Sequence, residues 1–239
     1  MYKFYDLPDG VIAFTAGKGC HGTEPGVDAR KVGVLDYKDI FIPRQTHSLN
    51  VCWTDKAGEC PDTDAVITSK RGLCVAVKTA DCIPVLLYDE RQQLVSAIHA
   101  GWRGTVGKIV SRTIKEMKSR GEDLYAIIGP GISLEAFEVG DEVYDAFQQA
   151  GFPMGRIAKR YPSQLGKNSS FLALNPSLCE ATRWHIDLWE ANRWLLEEAG
   201  VRRIQTAGIC TFQQCQDYYS ARRESIKTGR NINGIMLSE

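Results

Sequence analysis

Six short apolar runs, most bounded by Gly, Pro or Asp, fall within the first hundred residues, at 11–15, 41–45, 65–68, 73–79, 85–88 and 94–99. Runs of this length between turn residues read as β-strands, and so many in succession commit the first half of the chain to sheet. At Thr105 the period changes. Val106, Ile109, Val110, Ile114 and Met117 recur at helical spacing and Gly121 follows as a stop, which predicts a helix over 105–120. Beyond it the pattern predicts a strand at 124–128 and a helix capped by Asp141, with Val143, Tyr144 and Phe147 on one face. Asp187 is placed to cap another helix carrying Leu188, Ala191 and Leu195 and ending at Gly200, and strands follow at 204–209 and 234–237. Strands and helices interleave through the second half, so the residues alone predict an α/β or α+β sandwich. No repeat, charge block or linker divides the 239 residues, and one domain over 1–239 is expected. The polar stretch 161–170 reads as an exposed loop.

Lys plus Arg equals Asp plus Glu at 29 each, so no net field draws the molecule to nucleic acid or to an anionic membrane. The N-terminus lacks a basic start and an apolar run, and no stretch has the length of a bilayer span, which predicts a cytoplasmic protein. Its eight cysteines, at 20, 52, 60, 74, 82, 179, 210 and 215, are then expected to be reduced thiols, several of them buried as small hydrophobes.

Three segments concentrate chemistry: RQTHS (44–48), TADCIPVLLYD (79–89) and AIHAGWRGT (97–105). Each sets a metal-ligating side chain beside a strand end: His47, Cys82 and His99. If their strands share one sheet, the three converge at its mouth. One Cys and two His form a zinc ligand set that leaves a fourth tetrahedral position open for water or substrate, the arrangement of a catalytic site; a structural site wants four ligands. Singly, each residue reads more readily as a core thiol or a hydrogen-bonded imidazole than as a ligand. Two glycines around Trp102 and Arg103 ahead of a helix suit an anion, with Arg103 adding a charge-assisted contact, and 129–133 is a second loop of that kind. Asp81 is either a proton carrier beside Cys82 or a turn cap. Arg222, Arg223 and Arg230 lie among hydroxyls that include Ser220, a composition suited to phosphate or carboxylate and also to a solvated face.

Together these segments resemble the YfiH family, also called laccase-domain, multicopper polyphenol oxidase or peptidoglycan editing factor proteins. The resemblance rests on Gln45 to His47, on Ala80 to Pro84 and on HAGWRG from His99 to Gly104. It continues through PDTDAVIT (61–68), IGPGISLEAFEVG (128–140), WHIDLWEANR (184–193), GICT (208–211) and YSARRESIKTGR (219–230), spanning roughly residues 40 to 237. It implies an α/β fold of layered mixed β-sheets flanked by helices, and zinc held by His47, Cys82 and His99, a ligand set that also accepts copper. It further implies phosphorolysis of adenosine, inosine, guanosine and methylthioadenosine and deamination of adenosine. Cys82, Asp81 and His99 are then the catalytic candidates, and Gln45, Arg103, Ser220 and Arg222 the residues expected to bind nucleoside and phosphate. Four His in all, at 21, 47, 99 and 185, are too few for a multicopper oxidase. The N-terminal segment 15–33 is shortened relative to the family pattern and lacks its Arg and Gly-Gly pair, so Lys18 or Arg30 would have to stand in for that Arg.

Competing readings use the same residues. Cys82 and His99 would serve a cysteine hydrolase or deamidase, as in the cytotoxic necrotizing factor toxins, and the metal site would serve an amidase editing a cell-wall precursor. A binding protein that keeps the metal without turnover is the remaining reading. His47 discriminates, because a Cys/His nucleophile has no need of it.

Overall fold

The computed structural model describes residues 1–20, 23–25, 39–162 and 182–239. In chain order, β1 (Tyr2–Phe4), β2 (Val11–Ala16), β3 (Asp39–Phe41), β4 (Val51–Trp53), β5 (Ala65–Thr68), β6 (Leu73–Thr79), β7 (Ile83–Asp89) and β8 (Leu94–Ala100) precede the helices α1 (Trp102–Val106) and α2 (Ile109–Met117). Then come β9 (Leu124–Ile128), β10 (Glu138–Val139), α3 (Asp141–Gln149), α4 (Met154–Ile157), β11 (Ala158–Pro162), β12 (Thr182–Ile186), α5 (Leu188–Glu198), β13 (Arg203–Thr206), α6 (Ala221–Glu224) and β14 (Asn231–Leu237). Among the described residues no helix is long and apolar enough to cross a membrane.

Two mixed sheets carry the architecture, one ordered β1-β2-β14-β6-β3 and the other β13-β9-β7-β8-β5-β4, with a small antiparallel sheet β10-β12-β11 beside them. The period-two alternation of side chains explains how the large sheets meet. Val75 and Val77 of β6 and Ile235 and Leu237 of β14 pack on Val66, Leu86, Val95, Ala97 and Ile127 of the six-stranded sheet. That sheet's opposite face, with Ile67, Val85, Leu87, Ile98 and Ile128, packs on Ile109, Val110 and Ile114 of α2 and on Ala191, Leu195 and Leu196 of α5. β7 is therefore covered on both faces and all seven of its residues are buried, which is why it reads as a continuous apolar run. The layered α/β architecture expected from the sequence is the one observed.

The helix expected over 105–120 is two helices. α1 starts earlier, at Trp102, and the chain breaks at Gly107 and Lys108, where Lys108 is left-handed and a Cβ on Gly107 would lie 2.5 Å from a Leu49 methyl. α2 also ends before Gly121, on an exposed Lys118 with φ 54°. Gly121 instead admits the end of α5, since a Cβ there would come 2.2 Å from the Ala199 carbonyl. Because a left-handed residue at a helix C-terminus favours Gly, Lys118→Gly is expected to raise stability by about 0.5–1 kcal/mol in urea titrations. Asp187 caps α5 as expected, its Oδ1 accepting from the Glu190 N–H at 2.9 Å, whereas α3 is capped by Gly140 and Asp141 is its first residue. The strand expected at 41–45 is β3, ending at Phe41, and that at 204–209 is β13, ending at Thr206. Tyr161 and Pro162 close β11, and the rest of the expected loop, 163–170, lies outside the described residues.

Candidate metal centre

β6 ends at Thr79 and β7 begins at Ile83, so Ala80, Asp81 and Cys82 alone carry the chain from one large sheet to the other. A link this short needs a sharp turn. Asp81 provides it at φ 88°, on the left-handed side that Asp tolerates better than most side chains. Its carboxylate holds the turn, Oδ1 accepting from Thr211 Oγ1 and Oδ2 from the Arg222 backbone N–H, both at 2.7 Å.

His47 lies on the connection between β3 and β4, which is fastened on two sides. Gln45 uses its amide as a strand partner, Nε2 donating to the Lys78 carbonyl at 2.7 Å and Oε1 accepting from the Lys78 N–H at 2.8 Å. Asp64, just ahead of β5, accepts from the backbone N–H groups of Thr46, His47 and Ser48 at 3.2, 3.1 and 2.7 Å and from Ser48 Oγ at 2.8 Å. His47 is held at φ 62°, a conformation few non-glycine residues adopt and one that gathers at functional sites. His99, buried in β8, sets its Nδ1 2.7 Å from Asp64 Oδ1. That bond leaves Nε2 for the cluster.

The three expected ligands do converge, though not within one sheet: β3 and β6 belong to the five-stranded sheet and β8 to the six-stranded one, so the cluster sits where the chain crosses between layers. One ligand atom from each of His47, Cys82 and His99 lies within 4.8 Å of the others, and Cys82 Sγ is 3.7 Å from His47 Nε2. Metal–nitrogen and metal–sulfur bonds of about 2.05 and 2.3 Å at a tetrahedral angle would separate the two atoms by about 3.6 Å, so the donors fit a four-coordinate ion. Gly101 makes room, since a Cβ there would stand 2.9 Å from His47 Cδ2 and 3.0 Å from Cys82 Sγ.

Electrostatics favour the ligating forms. Burial raises the Cys82 thiol, but the imidazoles of His99 and His47 outweigh it and bring the group down to about 6. Burial lowers His99, and the Cys82 thiolate and Asp64 reverse that to about 9. Asp64 is pushed up by burial and brought down to about 2 by its bonds with His99 and Ser48. A carboxylate on the far nitrogen of a ligating His orients the ring and fixes its tautomer.

The cluster opens into a cavity of about 350 Å3 lined also by Arg44, Gln45, Lys78, Ala80, Ala221, Ile226 and Arg230. Of the residues expected to meet substrate, only Gln45 lines it, and its amide is spent on β6. Asp81 is turned to its structural partners. Ser220 is buried and caps α6, its Oγ accepting from the Arg223 N–H at 3.2 Å. Arg103 is exposed on α1 with its guanidinium carbon 4.3 Å from the Trp102 ring centroid, and Arg222 lines a different cavity. The 129–133 loop spends its Gly131 and Ile132 N–H groups on the carbonyls of Ile209 and Asp81. His185 is buried apart from the cluster, its Nδ1 2.9 Å from the Leu134 carbonyl, while His21 and Arg30 lie outside the described residues.

Lys18 is engaged as well, donating to the Cys215 carbonyl at 2.8 Å and pairing with Glu224. Burial raises the Glu224 carboxyl, and Lys18, Thr228 and Arg223 bring it down to about 2. A depressed carboxyl stabilises the fold above its ordinary pKa near 4.5, and that contribution fades as pH falls through 2. Glu224→Gln is expected to cost up to about 1 kcal/mol at pH 7 and progressively less below pH 4, read as a gap in melting temperature that closes on acidification.

Asp64 and Lys78 carry no chemical motif of their own in the sequence. Asp64 stands within PDTDAVIT, a stretch of the family resemblance, and Lys78 interrupts an otherwise apolar strand; these were the available signals.

The family described as "multi-copper polyphenol oxidoreductase laccase" matches residues 28–238. A purine nucleoside phosphorylase of Bacteroides thetaiotaomicron is 42% identical over 84% of this chain and 74% of its own length. Adenosine deaminase RL5, from an unknown prokaryotic organism, is 37% identical over 87% of this chain and 78% of its own. The crystal structure of the hypothetical protein YfiH of Bacillus licheniformis superposes with a TM-score of 0.80 over 98% of this chain and 99% of that one, at 24% identity, and so shares the fold.

Proposed function

Since the chain belongs to the multi-copper polyphenol oxidoreductase laccase family, whose relatives include a purine nucleoside phosphorylase and an adenosine deaminase, we propose that it is a zinc-dependent purine nucleoside phosphorylase. His47, Cys82 and His99 are the residues that would hold the ion. Zinc suits one borderline-soft sulfur and two imidazoles, and the described residues form one such cluster, against the several His-rich centres that multicopper chemistry requires. Bound there, zinc supplies a Lewis acid beside the cavity.

One observation carries phosphorolysis ahead of deamination: Arg44, Lys78 and Arg230 line the cavity, and no carboxylate does among the described residues. Phosphorolysis brings a phosphate oxygen to the ribose anomeric carbon as the bond to the purine nitrogen breaks. Cations around the phosphate offset its charge and position it for attack. Lys78 and Arg44 supply that field, while Arg230 organises the lip of the cavity, its Nη2 donating to the Ile226 carbonyl at 2.7 Å. Ala80, Ala221 and Ile226 offer the apolar wall that a purine requires. Deamination remains the second reading, on the strength of the adenosine deaminase relative. A carboxylate proton carrier for it is not supplied by Asp81, whose two oxygens are bonded to Thr211 and Arg222.

The test is chromatography of adenosine incubated with and without phosphate. Adenine and ribose 1-phosphate are expected only with phosphate, and Lys78→Met should raise the KM for phosphate about tenfold or more, the loss of one charge-assisted contact. Inosine formed at the same rate with or without phosphate would move the assignment to deamination.

A further inference from the structure

A second cavity, of about 460 Å3, is lined by Ala136, Glu138, Val139, Arg183, Phe212 and Arg222, together with Gly140. It is separate from the metal cavity. Ala221 lines the first and Arg222 the second, so the opening turn of α6 stands between them.

The polar groups of this cavity are arranged for an anion. Arg222 is held in place at three points: its backbone N–H is bound by Asp81, its Nη1 donates to the Glu138 carbonyl at 3.0 Å, and its guanidinium carbon lies 5.4 Å from the Phe137 ring centroid. Arg183 stands on the face of β12 that carries His185, two residues along, and that residue is paired in register with Glu138. Among the described residues the Arg183 side chain makes no hydrogen bond or ion pair. Two guanidiniums lining one cavity repel each other, and a bound anion removes that cost while gaining two charge-assisted contacts. Next to them one Glu138 carboxylate oxygen lies 3.9 Å from His185 Nε2, a buried ring nitrogen with no hydrogen-bond partner.

Among the described residues, the rest of the wall, Ala136, Val139 and Phe212, is apolar and includes one aromatic ring. A cavity of this size exceeds what an inorganic anion fills and falls in the range of small-molecule sites. We propose that it binds a nucleoside monophosphate, with the phosphate between Arg183 and Arg222 and the base against Phe212. Binding here does not depend on turnover at the metal cavity.

Titration calorimetry with adenosine monophosphate at fixed ionic strength tests this on three proteins: wild type, Arg183→Met and His47→Ala. Arg183 is exposed, so its replacement leaves the fold intact, and circular dichroism checks each variant. Wild type and His47→Ala should bind the nucleotide equally, while Arg183→Met should bind it about tenfold or more weakly, as expected for losing a charged hydrogen-bonding partner. Adenosine alone and inorganic phosphate alone should each bind more weakly than the nucleotide. No heat with wild type, unchanged affinity in Arg183→Met, or binding lost in His47→Ala but kept in Arg183→Met would overturn the proposal. Inorganic phosphate binding as tightly as the nucleotide would overturn it too.

Discussion

Purified His47→Ala is expected to carry almost no zinc where wild type carries close to one ion per chain, and to lose phosphorolysis of adenosine by at least about 100-fold, the scale set by losing a metal worth several kcal/mol to the transition state. His47 is exposed and sits on a connection rather than in the core, so far-ultraviolet circular dichroism should not change. The variant separates two chemistries that share most of their residues. Cys82, His99 and Asp64 alone have the makings of a nucleophile, base and orienting acid, with the thiol brought down to about 6 and the imidazole anchored at 2.7 Å. In that arrangement His47 is dispensable, and turnover should survive its removal while alkylation of Cys82 abolishes it. In a zinc site all three ligands are needed. Elemental analysis beside the chromatographic assay decides: retained activity in a metal-free His47→Ala would assign Cys82 as a nucleophile.

The three side chains that converge could be read from the sequence because each belongs to a compact motif next to a strong strand signal, and β5 to β8 are apolar enough to be recognised without neighbours. What could not be read depends on tertiary contact. β4, β11 and β12 are short and largely exposed or half-buried, so they lack the alternation that marks a strand. The break between α1 and α2 falls inside a helical period and is set by Leu49, far away in the sequence. Gln45 and Asp81 carry polar groups that sequence reasoning assigns to substrate or to protons, and the fold uses both to hold backbone. Their amide and carboxylate satisfy N–H groups that a two-sheet crossover would otherwise leave without partners. Conversely Lys78, which faces the cavity from within an apolar strand, offers no motif at all. The sequence pattern locates the candidate metal ligands, and only the packed sheets show which other side chains line the cavity beside them.

Asp64→Asn tests how far the site depends on a residue that does not touch the ion. The Asp64 carboxylate is buried and accepts from Thr46, His47 and Ser48 on the His47 connection and from His99 on β8, so one group aligns two candidate ligands that belong to different elements. Asparagine keeps the shape but replaces one acceptor oxygen with an NH2, which faces donors on either side. Zinc affinity is expected to fall 10- to 100-fold, the usual cost of losing the carboxylate behind a ligating His, measured by competition with a chelator. The metal-free protein should lose about 2–4 kcal/mol, because buried donors are left unpaired. The pH dependence carries the sign. The Asp64 pKa falls from 3.8 to about 2 on folding, so its stabilisation is complete above about pH 5 and disappears as pH drops through 2. Wild type should therefore show an acid limb in its stability profile that Asp64→Asn lacks. If the variant bound zinc as tightly as wild type and kept that limb, the alignment of His47 and His99 would have to come from the backbone of β8 and the Gln45 tether alone.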